Sequence, residues 1–235
     1  MSTTERKKYA SGLRTQAQIT AVAREILAQT RNPADVTFHE VARRLGRRHT
    51  TLYRHADPGP DGLLALIRAA AITELREAVA TAAEHSDPND LPGTLTTLCR
   101  TVFDWAIANG PEFGLLLSVR PGNESVTGGE QPSFFAALGP EVGGTFIEAY
   151  LNHGPTPLPD AEVPPALVIS AERYGQTLRP DMPLGLAYQI LTCWRHLYGV
   201  ICMGVYGHLE FADGELQPLF EDTMSEILQI LNLNE

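Results

Sequence analysis

The sequence predicts an all-α protein that has a small N-terminal three-helix domain and a larger helical domain after it. Apolar residues recur at helical spacing through most of the 235-residue chain, and few segments alternate between apolar and polar residues as strands do. Glycine- and proline-rich stretches separate the helical segments. We therefore place the small domain at residues 1–60 and the larger domain at residues 61–235, with a long helix over residues 61–85 joining them.

The first helix is predicted from about Leu13 to Thr30. Its apolar face consists of Ile19, Val22, Ala23, Ile26 and Leu27, which are spaced as i, i+3, i+4, i+7 and i+8. The Asn32-Pro33 pair ends this helix, because the residue before a proline is disfavoured in the α conformation.

A short second helix follows, with an apolar face formed by Phe38, Val41, Ala42 and Leu45. Thr37 precedes this face and Glu40 stands three residues later, which predicts a capping box in which each side chain satisfies a free amide of the first turn. Gly46 is expected to end the helix, because glycine readily adopts the left-handed conformation found at helix ends.

A further short helix is predicted to begin within three or four residues of Gly46 and to turn Leu52 inward. Helix, tight glycine turn and helix form a helix-turn-helix, whose second helix lies in the major groove of DNA. The residues left facing outward are mostly hydrogen-bond donors: Arg43, Arg44, Arg47, Arg48, His49, Thr50, Thr51, Arg54 and His55.

The long helix over residues 61–85 carries an apolar stripe of Leu64, Ile67, Ala71, Leu75 and Val79. Its first part is expected to pack on the helix-turn-helix and its last part on the larger domain, which makes it a mechanical link. Residues 86–93 end it with serine, aspartate, asparagine, proline and glycine. Further helices are predicted at residues 94–109, 111–118, 133–152, 165–178, 184–208 and 216–233, with loops at residues 121–132 and 153–165.

The helix at residues 184–208 is apolar on two faces, so both faces need to be covered. The last helix, at residues 216–233, supplies a matching stripe of Phe220, Met224, Ile227, Leu228 and Leu231. We predict a homodimer through these two helices, because a two-fold protein matches a palindromic DNA site. Burial of both faces inside one large domain is the alternative.

Charge is distributed unevenly along the chain. Residues 1–55 carry eleven Lys or Arg residues and four Asp or Glu residues, a formal charge of +7. The remaining residues carry seven Lys or Arg residues and twenty-four Asp or Glu residues, a formal charge of −17, so the whole chain has a charge of −10. A basic head on an acidic body favours double-stranded DNA as the partner and orients the protein on it.

The residues of this region resemble the N-terminal domain of the tetracycline-repressor (TetR) family of transcriptional regulators. The resemblance covers about Ile19 to Leu66 and rests on Thr37, Val41-Ala42, Leu45-Gly46, Thr51-Leu52-Tyr53 and His55. Three positions depart from the family pattern. Arg47-Arg48 replace Val-Ser after the glycine, Ala56 replaces a phenylalanine, and residues 57–61 replace a Ser-Lys-Glu segment. The resemblance implies that the last two helices form a four-helix bundle across a two-fold axis.

The candidate DNA-binding residues are Thr37, Arg47, Arg48, His49, Thr50, Thr51, Tyr53, Arg54 and His55. The arginines are suited to guanine or phosphate, and Thr50 and Thr51 to a thymine methyl group or a phosphate. For Thr37, Tyr53 and His55, the resemblance implies contacts with backbone phosphates. Residues Arg6, Lys7, Lys8 and Arg14 are either an N-terminal arm that follows a groove or a solubilising tail.

The resemblance also implies a small-molecule effector site among the central helices of the larger domain. The candidates are aromatic and polar residues at helical spacing: Phe103, Trp105, Phe113, Phe134, Tyr150, Tyr174, Trp194, His196 and Tyr198. Trp105, Trp194 and His196 are the stronger candidates, because a buried ring N–H needs a partner. Ordinary core packing is the alternative for each of them.

The sequence does not predict an enzyme. His39-Glu40 begins an HExxH pattern, but Arg43 stands at its last position, and no glycine-rich phosphate loop or nucleophile motif is present. No metal or cofactor is expected, since Cys99, Cys193 and Cys202 lack metal-ligand spacing. Without a leader or an apolar run of membrane length, we expect a cytoplasmic protein with no membrane partner, associated with the nucleoid when bound to DNA.

The sequence therefore predicts a transcriptional regulator, a repressor that binds a palindromic operator as a homodimer and is released by a small-molecule effector in the C-terminal domain. One alternative is a helix-turn-helix regulator controlled by a protein partner. The other is a small-molecule binding or sequestering protein without specific DNA binding.

Overall fold

The computed structural model describes residues 3–57, 59, 61–87, 89–118, 144, 146–209 and 215–234, with side chains from residue 12 onward. The predicted all-α class is confirmed, because the described residues form α-helices and short 3₁₀ helices and contain no strand. The α-helices are α1 (Thr3–Thr30), α2 (Phe38–Leu45), α3 (Gly62–Glu84), α4 (Leu91–Ala108), α5 (Gly110–Leu117), α6 (residues 146–153), α7 (Val168–Leu178), α8 (Leu184–Val205) and α9 (Gln217–Ile230).

The chain forms two compact units. The first contains Met1–Glu74 and Asn109–Phe134, and the second contains Leu75–Ala108 and Phe135–Glu235. Helix α3 is continuous from Gly62 to Glu84 and so belongs to the first unit in its first half and to the second in its last half. The functional division after residue 60 stays a prediction.

The first unit is held together by apolar side chains from α1, α2, α3, α5 and the 3₁₀ helix His49–Arg54. Fully buried members include Ile19, Ile26, Leu27, Val41, Leu52 and Ile67. Each side chain of this size stabilises the fold by about 1.5–3 kcal/mol when it leaves water completely. The periodicity of the sequence predicted the buried faces of α1 and α2 correctly.

Helix α1 begins at Thr3, about ten residues before the predicted start at Leu13. The added segment lacks the apolar stripe on which the prediction depended, but Glu5, Arg6, Lys7 and Lys8 all have high helix propensity. The backbone of Arg6, Lys7 and Lys8 is therefore helical, and Arg14 is exposed on the same helix.

The second unit packs α8 against α4, α7 and α9. The rings of Phe103 on α4 and Phe220 on α9 have centroids 4.6 Å apart. The guanidinium of Arg100 lies 4.6 Å from the centre of the Phe220 ring, which adds a cation–π contact to the same packing. These contacts fix α9 against α4.

Two buried polar side chains bind the end of α9. Tyr150 donates its hydroxyl to the carbonyl oxygen of Leu231 at 3.0 Å, and Gln189 donates its Nε2 to the carbonyl oxygen of Ile230. Gln189 also accepts a hydrogen bond from the amide of Leu158 at 3.0 Å. The last carbonyls of a helix have no partner inside it, so these bonds satisfy groups that burial would otherwise leave unpaired.

Candidate nucleic-acid interface

Helix α2 begins and ends as its sequence predicts. The hydroxyl oxygen of Thr37 accepts a hydrogen bond from the amide of Glu40 at 3.2 Å, so Thr37 is the N-cap. Gly46 ends the helix in the left-handed conformation at φ +62°, and the next amide, of Arg47, donates to Ala42 O at 2.9 Å.

The reciprocal half of the predicted capping box is wrong. The amide of Thr37 donates to the carbonyl oxygen of Asp35 at 3.0 Å, and so it does not need the Glu40 carboxylate. Glu40 instead binds Arg43 and Arg44, which stand three and four residues further along α2. Side chains at these spacings are neighbours on a helix, and two guanidiniums compete successfully with one amide for the carboxylate.

The recognition element is the 3₁₀ helix His49–Arg54, three residues after Gly46. Its N-cap is Arg48, whose side chain makes no capping hydrogen bond. The hydroxyl of Thr51 instead donates to the carbonyl oxygen of Arg48 at 2.6 Å. The sequence predicted a helix here, and the tighter 3₁₀ form accompanies the lack of a capping serine at position 48.

Leu52 and Tyr53 attach the recognition element to the rest of the first unit. Leu52 is 1% exposed and lies in the core. The ring of Tyr53 has its centroid 4.7 Å from that of Phe38 on α2 and 6.1 Å from that of His49. The contact between Phe38 and Tyr53 packs the recognition element against α2, and the contact between His49 and Tyr53 lies within the recognition element itself.

The nine candidate DNA-binding residues lie at the start of α2, in the turn that follows it, on the recognition element and directly after it. Eight of them are exposed, and His55 is half-buried: Thr37, Arg47, Arg48, His49, Thr50, Thr51, Tyr53, Arg54 and His55. Tyr53 is 41% exposed although it packs on Phe38, so its hydroxyl end is open to a ligand while its ring is held. The arrangement presents donors on one surface and an apolar core on the other.

The arginines on this surface fall into two groups. Arg43 and Arg44 are bound by Glu40, and the Nη2 of Arg47 donates to the side-chain oxygen of Gln18 on α1 at 3.0 Å. The guanidiniums of Arg48 and Arg54 have no hydrogen bond or ion pair with any residue that the structure describes. Sequence reasoning missed the contact with Gln18, which is 29 positions from Arg47. The pairing of Glu40 with Arg43 and Arg44 could have been read from their i, i+3 and i+4 spacing.

A polar surface groove of about 550 Å³ adjoins the recognition element. It is lined by Gln16, Tyr53, Arg54, His55, Ala56, Asp57, Gly62, Ala65 and Leu66. Gly62 at the start of α3 approaches the carbonyl oxygen of Asp57 so closely that a Cβ there would clash with it. Only glycine, which has no Cβ, permits this close approach between the recognition element and α3.

An ion-pair cluster connects three helices of the first unit. Arg24 on α1 donates to Glu74 on α3 at 2.7 Å and to Glu112 on α5 at 3.3 Å. The Glu112 side chain is only 6% exposed, and the two carboxylates help to raise the pKa of Arg24 against the opposing effect of burial. Sequence reasoning missed this cluster, because Arg24 and Glu112 are 88 positions apart.

Replacing Thr37 by alanine removes the N-cap of α2. We expect the free energy of unfolding to fall by about 1 kcal/mol, because the Glu40 amide loses its acceptor. Urea titration followed by circular dichroism measures the change. Thr37→Ser keeps a hydroxyl and is expected to retain most of the stability, whereas equal losses in both variants would show that the cap is unimportant.

The effector candidates do not converge on one pocket. In the second unit, an apolar cavity of about 40 Å³ is lined by Leu95, Cys99, Phe146, Ile190, Cys193, Trp194, Leu197, Ile227 and Leu231. Of the nine candidates only Trp194 lines it. Aliphatic and cysteine side chains form most of its wall. Nothing in the sequence distinguishes these residues from ordinary core residues.

The other candidates are placed as follows. Phe103, Trp105 and Tyr150 are buried in the second unit, and Phe113 is fully buried in the first. Tyr174 is hydrogen-bonded to Trp194 and Tyr198 to Cys202, and burial raises the pKa of both tyrosines. His196 is half-buried, and its Nδ1 lies 3.2 Å from Glu226 Oε2 without the geometry of a hydrogen bond. Phe134 lies outside the described residues.

The described residues carry no group of three or more His, Cys, Asp or Glu side chains arranged to hold a metal ion. Burial raises the pKa of the Cys99 thiol to about 12, and that of the Cys193 thiol as well, so both thiols stay protonated. No helix within the described ranges is long and apolar enough to cross a membrane.

No protein-family model matches this chain, and no curated protein matches it. Among solved structures, the chain is similar to the crystal structure of SCO4313, a candidate regulatory protein, with a TM-score of 0.69 and 19% sequence identity. The match covers 94% of this chain and 98% of SCO4313. At this level of identity the likeness shows a shared fold over nearly the whole length of both chains.

Proposed function

We propose that this protein is a DNA-binding transcriptional regulator of the tetracycline-repressor type. It acts as a repressor that binds a palindromic operator as a homodimer and leaves the operator when a small-molecule effector binds the larger domain. The observation that carries the proposal is the helix-turn-helix of the first unit, which buries Leu52 and presents Arg48, Thr50 and Arg54 outward. A recognition element of this kind enters the major groove and reads base edges.

The distribution of charge supports the same partner. Five of the eleven basic residues in the first fifty-five positions are exposed on α2, in the turn after it or on the recognition element, whereas the rest of the chain is acidic. An acidic body repels DNA and directs the basic head towards it. The fold shared with SCO4313, a candidate regulatory protein, agrees with a regulatory role.

A homodimer supplies the second recognition element. Helix α8 keeps apolar side chains on its outer face, including Met203 at 41% exposure, with Tyr206 at 51% just beyond the helix end. Pairing of this face with its copy covers the apolar surface and gives the protein a two-fold axis. Such a dimer places two recognition elements one DNA turn apart, about 34–36 Å, in successive major grooves.

Effector control of DNA binding has a physical route through the second unit and α3. The apolar cavity of the second unit has a volume of about 40 Å³, far below the roughly 300–1,000 Å³ of a typical ligand pocket. An effector therefore has to separate the helices around it. Because α3 is one continuous helix, movement of its last half displaces its first half, which carries the core residues Leu63 and Ile67 of the first unit.

Selection of duplexes from a random DNA pool by the purified protein tests the proposal. At near-physiological salt we expect recovery of a palindrome with two half-sites one helical turn apart. Candidate effectors are then tested by their release of the protein from that duplex. By linkage, the operator must weaken effector binding by the same factor, typically about 1–3 kcal/mol of coupling.

Two other outcomes separate the alternatives. A palindrome that no small molecule releases favours a helix-turn-helix regulator controlled by a protein partner. Recovery of no preferred sequence, with only salt-sensitive binding, favours a small-molecule binding protein that has lost specific DNA recognition.

A further inference from the structure

Glu40 is an acidic residue in the middle of the basic surface. Its carboxylate accepts three hydrogen bonds: from Arg43 Nε at 2.8 Å, from Arg43 Nη2 at 2.7 Å and from Arg44 Nε at 2.9 Å. The two bonds from Arg43 form a bidentate pair, which fixes the plane of the guanidinium as well as its position. Both arginines are thus held on α2 by a single carboxylate.

These three bonds keep Glu40 charged under all ordinary conditions. Hydrogen bonds from Arg43 and Arg44 lower the pKa of Glu40 to about 2. A depressed pKa means that the pairing is present above the ordinary value near 4.5 and is lost only as the pH falls towards about 2. No physiological change of pH releases the two arginines.

The position of Arg43 and Arg44 on α2 determines which contacts with DNA are lost while Glu40 binds them. In a helix-turn-helix, the first helix crosses the phosphate backbone while the second enters the groove. Arg43 is 63% exposed on that first helix, so its side chain is accessible to a phosphate. Arg48 and Arg54, by contrast, belong to the recognition element and have no partner among the described residues.

We propose that Glu40 weakens the attachment of this protein to DNA of unrelated sequence by withholding Arg43 and Arg44 from phosphates. The inference rests on the proposed function. Affinity for unrelated DNA comes almost wholly from neutralised phosphates, whereas specific affinity adds contacts with base edges. Withholding two phosphate contacts per subunit therefore lowers the affinity for operator and for unrelated DNA by a similar factor and shortens the time the protein spends on unrelated sequence.

The test is Glu40→Gln, which removes the charge and keeps side-chain length and helix propensity. The probe is a duplex of scrambled sequence, with the selected palindrome measured beside it, between about 50 and 200 mM salt. If each freed guanidinium meets one phosphate, the slope of log K against log salt steepens by about 2 per subunit. We expect scrambled DNA to bind on the order of tenfold more tightly at about 50 mM salt, and the selected palindrome to gain a similar factor.

Glu25→Gln is the matched control, because it removes the same charge from an exposed position on α1. This control measures the increase in DNA affinity that the loss of any one negative charge produces. Adding Arg43→Ala and Arg44→Ala to Glu40→Gln is expected to return the salt slope to the wild-type value. A merely structural ion pair on α2 would change the melting temperature and leave the slope alone.

The outcomes distinguish this inference from the proposed function. An operator recovered by the wild-type protein, together with an unchanged slope in folded Glu40→Gln, overturns the role of Glu40 and leaves the regulator intact. Absence of DNA binding in both proteins overturns the two together. A slope that steepens equally in Glu25→Gln assigns the effect to net charge and also overturns the role of Glu40.

Discussion

Replacing Arg48 and Arg54 by alanine is expected to reduce operator affinity by at least about 1,000-fold. Both guanidiniums are exposed on the recognition element and have no partner among the described residues, so nothing inside the protein competes for them. A bidentate arginine–guanine contact contributes about 1–3 kcal/mol, and a dimer loses four such arginines. At about 1.4 kcal/mol for each factor of ten, even the lower limit gives three orders of magnitude.

The measurement is a titration of the selected palindrome at fixed salt, followed by fluorescence anisotropy. Arg173→Glu is the matched control, because it changes the charge by the same two units at an exposed position on α7. The control should bind within a few-fold of the wild-type protein. If the control loses as much affinity as the double variant, bulk charge rather than the recognition element governs binding.

Arg24→Met is expected to destabilise the protein by about 3 kcal/mol and to lower the melting temperature by roughly 10 °C. The substitution leaves the Glu112 carboxylate, which is 6% exposed, without its cation. Breaking a buried pair from one side is costly because the remaining charge stays desolvated. Glu74 is affected less, since its side chain is 46% exposed and water can solvate it.

A double variant separates loss of the pair from loss of packing. Arg24→Met with Glu112→Leu removes both charges and fills a similar volume, so we expect it to regain most of the lost stability. Arg14→Met, an exposed arginine on the same helix, is the control and should change stability by less than about 0.5 kcal/mol. Equal destabilisation in the single and double variants would show that the methylenes of Arg24, rather than its charge, matter.

The sequence predicted those parts of the structure that local spacing determines. Thr37, Gly46 and Leu52 are placed as expected, because capping, chain reversal and inward facing each depend on residues within one or two turns. The start of α1 was missed, because the ten residues before Leu13 carry no apolar stripe, although Glu5, Arg6, Lys7 and Lys8 among them have high helix propensity. The reciprocal capping box failed for a related reason, since two arginines and one amide compete for Glu40 and spacing alone does not rank them.

The sequence could not predict contacts between residues that are far apart along the chain. Periodicity shows that one face of α1 is buried, but it does not show that Gln18 meets Arg47 or that Arg24 meets Glu112. The same limit applies to the cavity of the second unit. Aromatic residues were expected to line it, but Tyr150 binds the end of α9 and Phe103 packs on Phe220. Apart from Phe146 and Trp194, the side chains around the cavity are aliphatic residues and cysteines.

Under the proposed function, the recognition element also limits how much DNA sequence one subunit can read. Six residues in 3₁₀ form, at about 2.0 Å rise per residue, extend about 12 Å. Base pairs are stacked about 3.4 Å apart, so this length passes only three or four of them. Two such half-sites define about six to eight base pairs, a word that recurs by chance many times among the roughly 10⁶ or more positions of a genome. A protein whose recognition element is this short finds its operator only if it dissociates quickly from unrelated DNA as well as binding the operator firmly.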